Sequence, residues 1–347
     1  FPAVIRSCAR LTYDGVNDML AGAENSVPEE LHETLRQMNE LAKRLNAIRV
    51  ARGALELDLE EPEFDLAPDG MPTDVRARTR GDAHRLIEEF MLLANRTVAE
   101  FVGKSKNRTK KTFVYRIHEQ PDPEKLRDFS AFISRFGYKM RTEGTKTDIS
   151  KGINKLLDNV QGKPEENLVE TLAIRSMQKA HYTTDNIGHY GLAMDYYTHF
   201  TSPIRRYPDM MVHRLLERYL AGGRSVIKSK YEEYCKHCSE MEIVASNAER
   251  SSIKYKQVEF MKDKLGQVFD GVVSGVTEWG LYVELNENKC EGLVPIRDLD
   301  DDFYEFDDKN YCLLGRRTKR TYQLGDAITV KVAQANLERK QLDFALV

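Results

Sequence analysis

The sequence predicts a mixed α/β chain in two parts, with long helices around a partial sheet first and a small closed β-barrel second. Apolar residues recur every three or four positions over Leu31–Gly53 and over Ala83–Phe101, which is the spacing of amphipathic helices. After about Lys264 the pattern changes to short β-branched runs separated by glycine. We therefore place the boundary between residues 1–263 and residues 264–347.

The remaining elements of the first part follow in chain order. Residues 1–15 predict a strand that runs into a turn, and the alternation of apolar and acidic residues over 54–66 predicts a half-exposed strand. Gly53 lies where a helix C-cap glycine belongs, and Asp82 is the expected N-cap of the second helix. Further helices are expected over residues 123–136, 151–158, 168–177 and 231–264.

The second part predicts a closed barrel of the OB type, because five short strands with glycine turns fit into its last 80 or so residues. The strands are expected within residues 266–276, 279–285, 291–296, 327–333 and 341–346. Acidic residues between the third and fourth strands predict a solvated loop: Asp298, Asp300, Asp301, Asp302, Asp307 and Asp308.

Composition limits the possible classes of protein. The net charge of −3 gives no sign of a polyanion partner, and the basic run Lys104–Lys111 suits a solvated loop and a phosphate-contacting loop equally well. Five cysteines without framework spacing argue against a secreted disulfide scaffold. Cys235 and Cys238 lack the second pair of a zinc ribbon, which favours ordinary helix residues. No apolar run is long enough to span a membrane, and we expect a cytoplasmic protein.

The densest segment is His189–Arg214, which holds three histidines, four tyrosines and three arginines in 26 positions. Gly191 and Pro203 interrupt it, so it is not one helix. Asp209, directly after a proline, is the expected cap of the helix that follows. Aromatic rings stack on bases and guanidinium groups bind phosphate, so the segment points to single-stranded nucleic acid.

Several segments resemble the ribonuclease II and ribonuclease R (RNB) family of exoribonucleases. The longest are His189–Leu192 and Tyr197–Asp209, the latter reading Tyr-Thr-His-Phe-Thr-Ser-Pro-Ile-Arg-Arg-Tyr-Pro-Asp. Ile5–Tyr13, Ala83–Asn95 and Asn247–Arg250 are similar to further positions of that family. The resemblance implies that the first part is the C-terminal portion of an RNB catalytic domain and that the barrel is an S1 RNA-binding domain.

The resemblance implies processive 3′→5′ hydrolysis of single-stranded RNA to nucleoside monophosphates, with Mg²⁺. It implies that Arg205 holds a phosphate and that Tyr13 contacts the terminal nucleotide. Either Glu88 or Glu89 would position the 3′ end or the attacking water, and the sequence does not choose between them. Other expected RNA contacts in this part are His189, Tyr190, Tyr197, His199, Thr201, Ser202, Arg206, Tyr207 and Glu249.

These assignments have simpler alternatives that the sequence leaves open. Taken alone, Glu88 and Glu89 would form a solvated helix face, and Tyr13 would be an amphipathic core residue. The family's compact Asp cluster lies before its Arg-Leu-Thr-Tyr segment, whereas this sequence begins at Phe1, just before that segment. We therefore expect no Mg²⁺ bound by this chain, and no cleavage by it alone.

The barrel carries a second candidate RNA surface. Trp279 and Tyr282 match the exposed aromatic positions of S1 domains, with Phe269 near them and a basic patch at Arg316–Arg320. Pro295 stands where the family often has a histidine, and Trp279 could instead be a core residue at the barrel edge.

Two other functions compete with the exoribonuclease. A non-catalytic RNA-binding protein would use the same surfaces without metal chemistry. A DNA-binding or translation protein with an S1 barrel would explain only residues 264–347 and would leave Tyr197–Asp209 unexplained.

Overall fold

The computed structural model describes residues 3–56, 62–77, 80–104, 111–163, 165–307 and 310–347. The basic run over 105–110 and part of the strand predicted over 54–66 lie outside these ranges. The helices in the described ranges are α1 (Tyr13–Ala21), α2 (Glu29–Ala51), α3 (Asp82–Gly103), α4 (Pro123–Ile133), α5 (Lys146–Val160), α6 (Glu166–Ser176), α7 (Tyr207–Leu220) and α8 (Lys228–Met261).

The strands of the first part form two short antiparallel ladders. β1 (Pro62–Leu66) pairs with β2 (Pro72–Ala77), and β3 (Tyr115–Ile117) pairs with β4 (His181–Thr183). The mixed fold class predicted from the sequence is confirmed. In the described residues, however, the helices of this part surround two separate ladders and not one larger sheet.

The strand predicted over residues 1–15 is wrong. The described part of that segment has no regular structure before α1, which begins at Tyr13 because the Thr12 hydroxyl accepts a hydrogen bond from the Gly15 amide at 3.2 Å. Asp82 is the first residue of α3, and Gly81 is its N-cap. The long helix α2 matches its prediction, with Gly53 in the left-handed region at φ +100° just beyond it.

The first part is held by a core that joins α3, α7 and β3. Phe113, Val212 and Leu215 are fully buried in it. Helix α8 packs beside this core and forms an ion pair from Glu242 to Arg116 of β3, with both guanidinium nitrogens bonded at 2.5 and 3.0 Å. The segment from β4 to α7 lies between α3 and α8, and both helices form hydrogen bonds with it.

The second part is a closed five-stranded barrel with an inserted sheet. Its strands are β5 (Val268–Thr277), β6 (Gly280–Leu285), β7 (Glu291–Pro295), β8 (Tyr304–Asp307), β9 (Cys312–Gly315), β10 (Thr321–Gln323), β11 (Ala327–Asn336) and β12 (Gln341–Leu346). The barrel order is β11-β12-β7-β6-β5, which confirms the predicted barrel. The sequence did not predict β8–β10, which form a separate antiparallel sheet.

The inserted sheet corrects part of the prediction of a solvated acidic loop. Asp298, Asp300 and Asp301 are exposed as expected, whereas Asp302 is buried, Asp307 belongs to β8, and Asp308 lies outside the described residues. The Asp302 side chain is fully buried and accepts hydrogen bonds from the backbone amides of Arg317 and Thr318 at 2.9 and 2.6 Å. Burial by itself raises the pKa of Asp302, but the hydrogen bonds from Thr318 and its neighbours outweigh that effect and lower the pKa well below its usual value. Asp302, just before β8, is therefore bound to the turn between β9 and β10.

Helix α8 also fastens the barrel to the rest of the chain. Near its C-terminal end Lys254 donates to the carbonyl of Glu291, and the Gln257 amide donates to the carbonyl of Lys289 at 3.1 Å. A shared apolar core runs from α4, α5 and α6 into the barrel. The barrel is thus packed against the helical part and does not hang from a free linker.

Packing inside the barrel leads to a first prediction. Gly292 of β7 faces the buried ring of Phe344, and a methyl group placed there would lie 2.6 Å from that ring. Gly292→Ala should lower the free energy of unfolding by about 1–3 kcal/mol, measured by denaturant titration. Gly152→Ala is the control, since its methyl group would meet Met140 at an ordinary 3.5 Å within α5 and should cost nothing. Equal effects of the two substitutions would contradict this packing.

Candidate nucleic-acid interface

The turn before α7 is built around the buried carboxylate of Asp209. This side chain is fully buried and accepts hydrogen bonds from the Ser202 amide at 2.7 Å and from the Arg206 guanidinium at 2.8 and 2.9 Å. Asp209 is therefore not the N-cap that the sequence predicted, because Arg206 occupies that position. Asp209 lies in the first turn of α7, and its carboxylate bonds back to Ser202, which closes the chain turn before the helix.

The two adjacent arginines consequently have different environments. Arg206 is mostly buried, and its guanidinium group is bound to Asp209, which corrects the expectation that it contacts RNA directly. Arg205 is exposed, and no salt bridge to it occurs within the described ranges. Ile204 is fully exposed and Tyr207 is largely exposed beside it. In the described residues Arg205 is thus an exposed cation without a salt bridge, flanked by the exposed side chains of Ile204 and Tyr207.

The tyrosines of the dense segment lie mainly behind this turn. Tyr197 and Tyr190 are only 5% and 7% exposed, so their faces are not available for stacking on bases, contrary to the expectation from sequence. Asn95 of α3 donates to the Tyr197 hydroxyl at 3.1 Å and accepts from the Phe200 amide at 2.9 Å. These rings support the turn and join it to α3.

The two histidines of the segment belong to the same supporting layer. The Tyr182 hydroxyl lies 2.7 Å from Nδ1 of His199, and the ring of His189 packs edge-on against Tyr197. Burial, reinforced by Arg206 and Arg116, lowers the pKa of His199 to about 2. Burial and the neighbouring His118 lower the pKa of His189 to about 3. Both rings are therefore neutral near neutral pH, which disfavours a direct charge contact with phosphate.

The structure distinguishes the two adjacent glutamates of α3. Glu89 is 4% exposed and accepts from Arg49 of α2 at 2.6 Å and from Asn46 at 3.2 Å. Because this pair fastens α2 to α3, Glu89 is corrected to a structural residue. Glu88 is exposed, and of the two glutamates it remains the candidate for positioning the 3′ end or the attacking water.

Tyr13 lies at an open cleft of about 900 Å³ between α1, α2, α3 and the β1–β2 ladder. Its ring is 45% exposed and stacks on His84 of α3, with the ring centres 4.1 Å apart and the planes inclined by 14°. Tyr13 is therefore not a core residue, and its contact with the terminal nucleotide stays a prediction. His84 was not singled out from sequence, because its partner is distant along the chain.

The remaining expected contacts of the first part differ in accessibility. Glu249 is exposed on α8, and Ser202 is half-buried in the turn that Asp209 closes. The Thr201 hydroxyl is a buried atom without a hydrogen-bond partner in the part of the chain that the structure describes. Their contacts with RNA stay predictions.

The barrel presents its single tryptophan to solvent. Trp279 is 66% exposed at the β5–β6 turn, while Tyr282 and Phe269 are half-buried on neighbouring strands. Trp279 is therefore not a core residue. Gly280 follows at φ +144°, where a side chain would collide with the Val294 carbonyl, so the turn after Trp279 requires glycine.

The basic patch expected at Arg316–Arg320 is largely neutralised. Arg316 pairs with Glu305, Arg317 pairs with Asp302 at 3.3 Å, and Arg320 pairs with Asp301 at 3.2 Å. Opposite charges that are close in the fold cancel at longer range, so this patch contributes less to RNA attraction than its sequence suggests.

The described residues do not provide the carboxylate set that the resemblance implies for Mg²⁺. Within the described ranges there is no group of three or more His, Cys, Asp or Glu side chains placed to hold a metal ion. Cys235 is buried and its pKa is raised to about 12 by burial, so it suits core packing better than metal ligation. No catalytic step is therefore assigned to a metal on these residues.

In the portion of the chain that is described, none of the helices combines the length and the apolar character needed to cross a membrane.

Comparison with known proteins agrees with this architecture. The chain is 40% identical to ribonuclease R 1 of Lactococcus lactis over 354 residues, covering 99% of the chain and 42% of the relative. It is 39% identical to ribonuclease R of Aquifex aeolicus over 356 residues, covering 100% and 49%. The chain thus spans less than half the length of these curated relatives.

A solved structure gives the same result. Mycoplasma genitalium RNase R in complex with ribose-methylated single-stranded RNA superimposes with a TM-score of 0.87 and 27% identity, covering 96% of this chain and 53% of that one. The RNB domain model matches residues 1–222 and the S1 RNA binding domain model matches residues 262–346. The chain therefore belongs to the class of proteins in which an RNB domain is followed by an S1 barrel. The chain belongs to the RNB family, and its named relatives are ribonucleases R.

The buried histidines make stability sensitive to acid. Because their pKa values are lowered in the folded state, the unfolded chain binds more protons below about pH 6.5, and folding stability falls as the pH drops. The free energy of unfolding should decrease from about pH 7 to about pH 5, by up to about 1.4 kcal/mol per pH unit for each histidine.

Equilibrium unfolding at a series of pH values measures this slope. His199→Asn should flatten it by about one proton, whereas His237→Asn, at an exposed position on α8, should leave it unchanged. An unaltered slope in His199→Asn would show that His199 is not buried in its neutral form.

Proposed function

We propose that this protein is a 3′→5′ exoribonuclease that hydrolyses single-stranded RNA processively to nucleoside monophosphates. The observation that carries the proposal is the turn closed by Asp209, which leaves Arg205 exposed while Arg206 is held inside. The similarity to ribonucleases R, along the whole chain, supports the reaction class.

The described residues would act by binding and orienting the strand. The planar guanidinium of Arg205 suits a backbone phosphate, since it offers two parallel donors. Tyr13 at its cleft and Trp279 on the barrel offer exposed rings on which bases can stack. Glu88, exposed on α3, is the remaining acidic candidate for positioning the 3′ end or the attacking water. Stacking and phosphate contacts read no base edges, so little base preference is expected.

A non-catalytic single-stranded RNA-binding protein remains the second candidate. The observation that favours it is the lack of a metal-ligand group in the described ranges. Both candidates require the same surfaces, so binding measurements cannot separate them. Analysis of the reaction products separates them, because only the exoribonuclease shortens the RNA.

The protein made from the complete gene should release nucleoside monophosphates from a single-stranded RNA. A label at the 3′ end should be released first, whereas a label at the 5′ end should stay in the shortened strand. Binding without any product would favour the second candidate. The present chain alone should bind the same RNA without shortening it, since its described residues offer no metal-ligand group. Shortening in Mg²⁺ that EDTA prevents would contradict that expectation.

Replacement of Arg205 tests the phosphate contact. Arg205→Ala should weaken binding of a single-stranded RNA by about 1.5–3 kcal/mol, because it removes a hydrogen bond between charged groups, with the stability of the chain unchanged. Fluorescence anisotropy of a labelled RNA measures the affinity. Arg214→Ala removes the same charge from an exposed position of α7 and serves as the control. Equal losses of RNA affinity in both variants would show that Arg205 contributes only through the overall charge of the chain.

Replacement of Trp279 tests the barrel surface. Trp279→Ala should cost about 1–3 kcal/mol of RNA affinity through the loss of one stacked base. Phe303→Ala removes another exposed ring from the barrel domain and should have no effect. Because Trp279 is the only tryptophan, quenching of its emission on RNA addition gives an independent measurement. Unchanged affinity and unchanged emission would exclude this surface.

A further inference from the structure

The stacked pair of Tyr13 and His84 forms part of one wall of the open cleft. The two rings are nearly parallel, with centres 4.1 Å apart. The cleft is lined by residues of both helices that carry the pair, and Leu11, Leu35 and Ile87 add apolar surface. Since Tyr13 remains 45% exposed, its ring has surface available to a ligand beyond its contact with His84.

The backbone on both sides of the pair is fixed. The Asn17 side chain of α1 accepts a hydrogen bond from the Ala83 amide at 2.8 Å, which joins α1 to the first turn of α3. Any side chain at Gly81 would collide with Asn17, so the approach is close. Val16, Met19 and Ala83 are buried together beneath this junction. Tyr13 and His84 therefore extend from two helix ends that are held together.

The pair is not an ordinary core contact. A core aromatic pair is buried on both outer faces, whereas Tyr13 lies open at the cleft. In the described residues the buried Nδ1 atom of His84 has no hydrogen-bond partner, so a bond from this atom does not explain the position of the ring. Its visible contribution is the ring that lies against Tyr13.

We propose that His84 is a positioning residue, which holds the Tyr13 ring at the angle at which a nucleobase of single-stranded RNA stacks on it. The inference rests on the function proposed above. A tyrosine that can rotate loses conformational freedom when a base binds, whereas a ring already held by a neighbour loses less. His84 would therefore act on RNA through Tyr13 without touching the RNA.

The experiment uses the chain with a single-stranded RNA that carries 2-aminopurine at its 3′ end and a second RNA that carries it at the 5′ end. Stacking quenches the fluorescence of this base, and anisotropy gives the affinity. Tyr13→Ala should weaken binding about 5- to 150-fold and abolish the quenching at the base that Tyr13 contacts. His84→Ala should weaken binding about 2- to 13-fold with the same loss of quenching.

The conservative variant separates positioning from simple support of the fold. His84→Phe keeps a ring against Tyr13, so it should restore both affinity and quenching to near the wild-type level. His237→Ala, at an exposed site on α8, is the control for loss of a histidine and should change neither.

The possible failures are distinguishable. If Tyr13→Ala weakens binding but His84→Ala does not, or if His84→Phe fails to restore quenching in a folded chain, the role of His84 is overturned. If Tyr13→Ala has no effect while the chain binds RNA, the stacking role of Tyr13 is overturned as well. A wild-type chain that binds neither RNA overturns the proposed function together with this inference.

Discussion

The buried carboxylate of Asp209 is the interaction on which the candidate interface depends. A charge fully removed from water is stable only when hydrogen bonds and an opposite charge replace its hydration. The Ser202 amide and the Arg206 guanidinium provide these, and in doing so they fix the turn between them. Arg206 is used inside the protein and Arg205 is left outside. The different roles of two identical neighbours follow from which of them reaches Asp209.

Much of the fold could be predicted from the sequence, because helix and strand periodicity are local properties. The repeat in α2 and the alternation in β12 are visible in a few turns or residues of chain. The partners of charged and aromatic side chains are not local. The Glu89–Arg49 pair and the Tyr13–His84 stack join distant segments, so no spacing rule finds them. One signal was available: Arg206 and Asp209 lie three apart across a helix start, where such pairs form.

The aromatic-rich segment shows the same limit in another form. Its composition predicted a surface that stacks on bases, yet composition does not tell which face of a ring meets solvent. Tyr197 and His199 use their polar atoms to bond Asn95 and Tyr182, which requires them to face inward. These rings support the turn, so stacking on bases is left to exposed rings elsewhere in the chain. In the barrel, the acidic and basic runs likewise proved to be partners of each other.

Helix α8 connects the two surfaces on which an RNA strand could be held. Its N-terminal half contacts the layer behind Arg205, through Glu232 to Thr184 and Glu242 to Arg116, and its C-terminal end bonds the loop before β7. A strand that touches both Arg205 and Trp279 would therefore bind two parts of the chain that are packed against each other. The second contact is then intramolecular, and its effective concentration does not depend on the length of a flexible linker. For this reason the free-energy cost of ordering the RNA strand is shared between the two contacts. Replacement of either Arg205 or Trp279 alone should therefore weaken RNA binding without abolishing it.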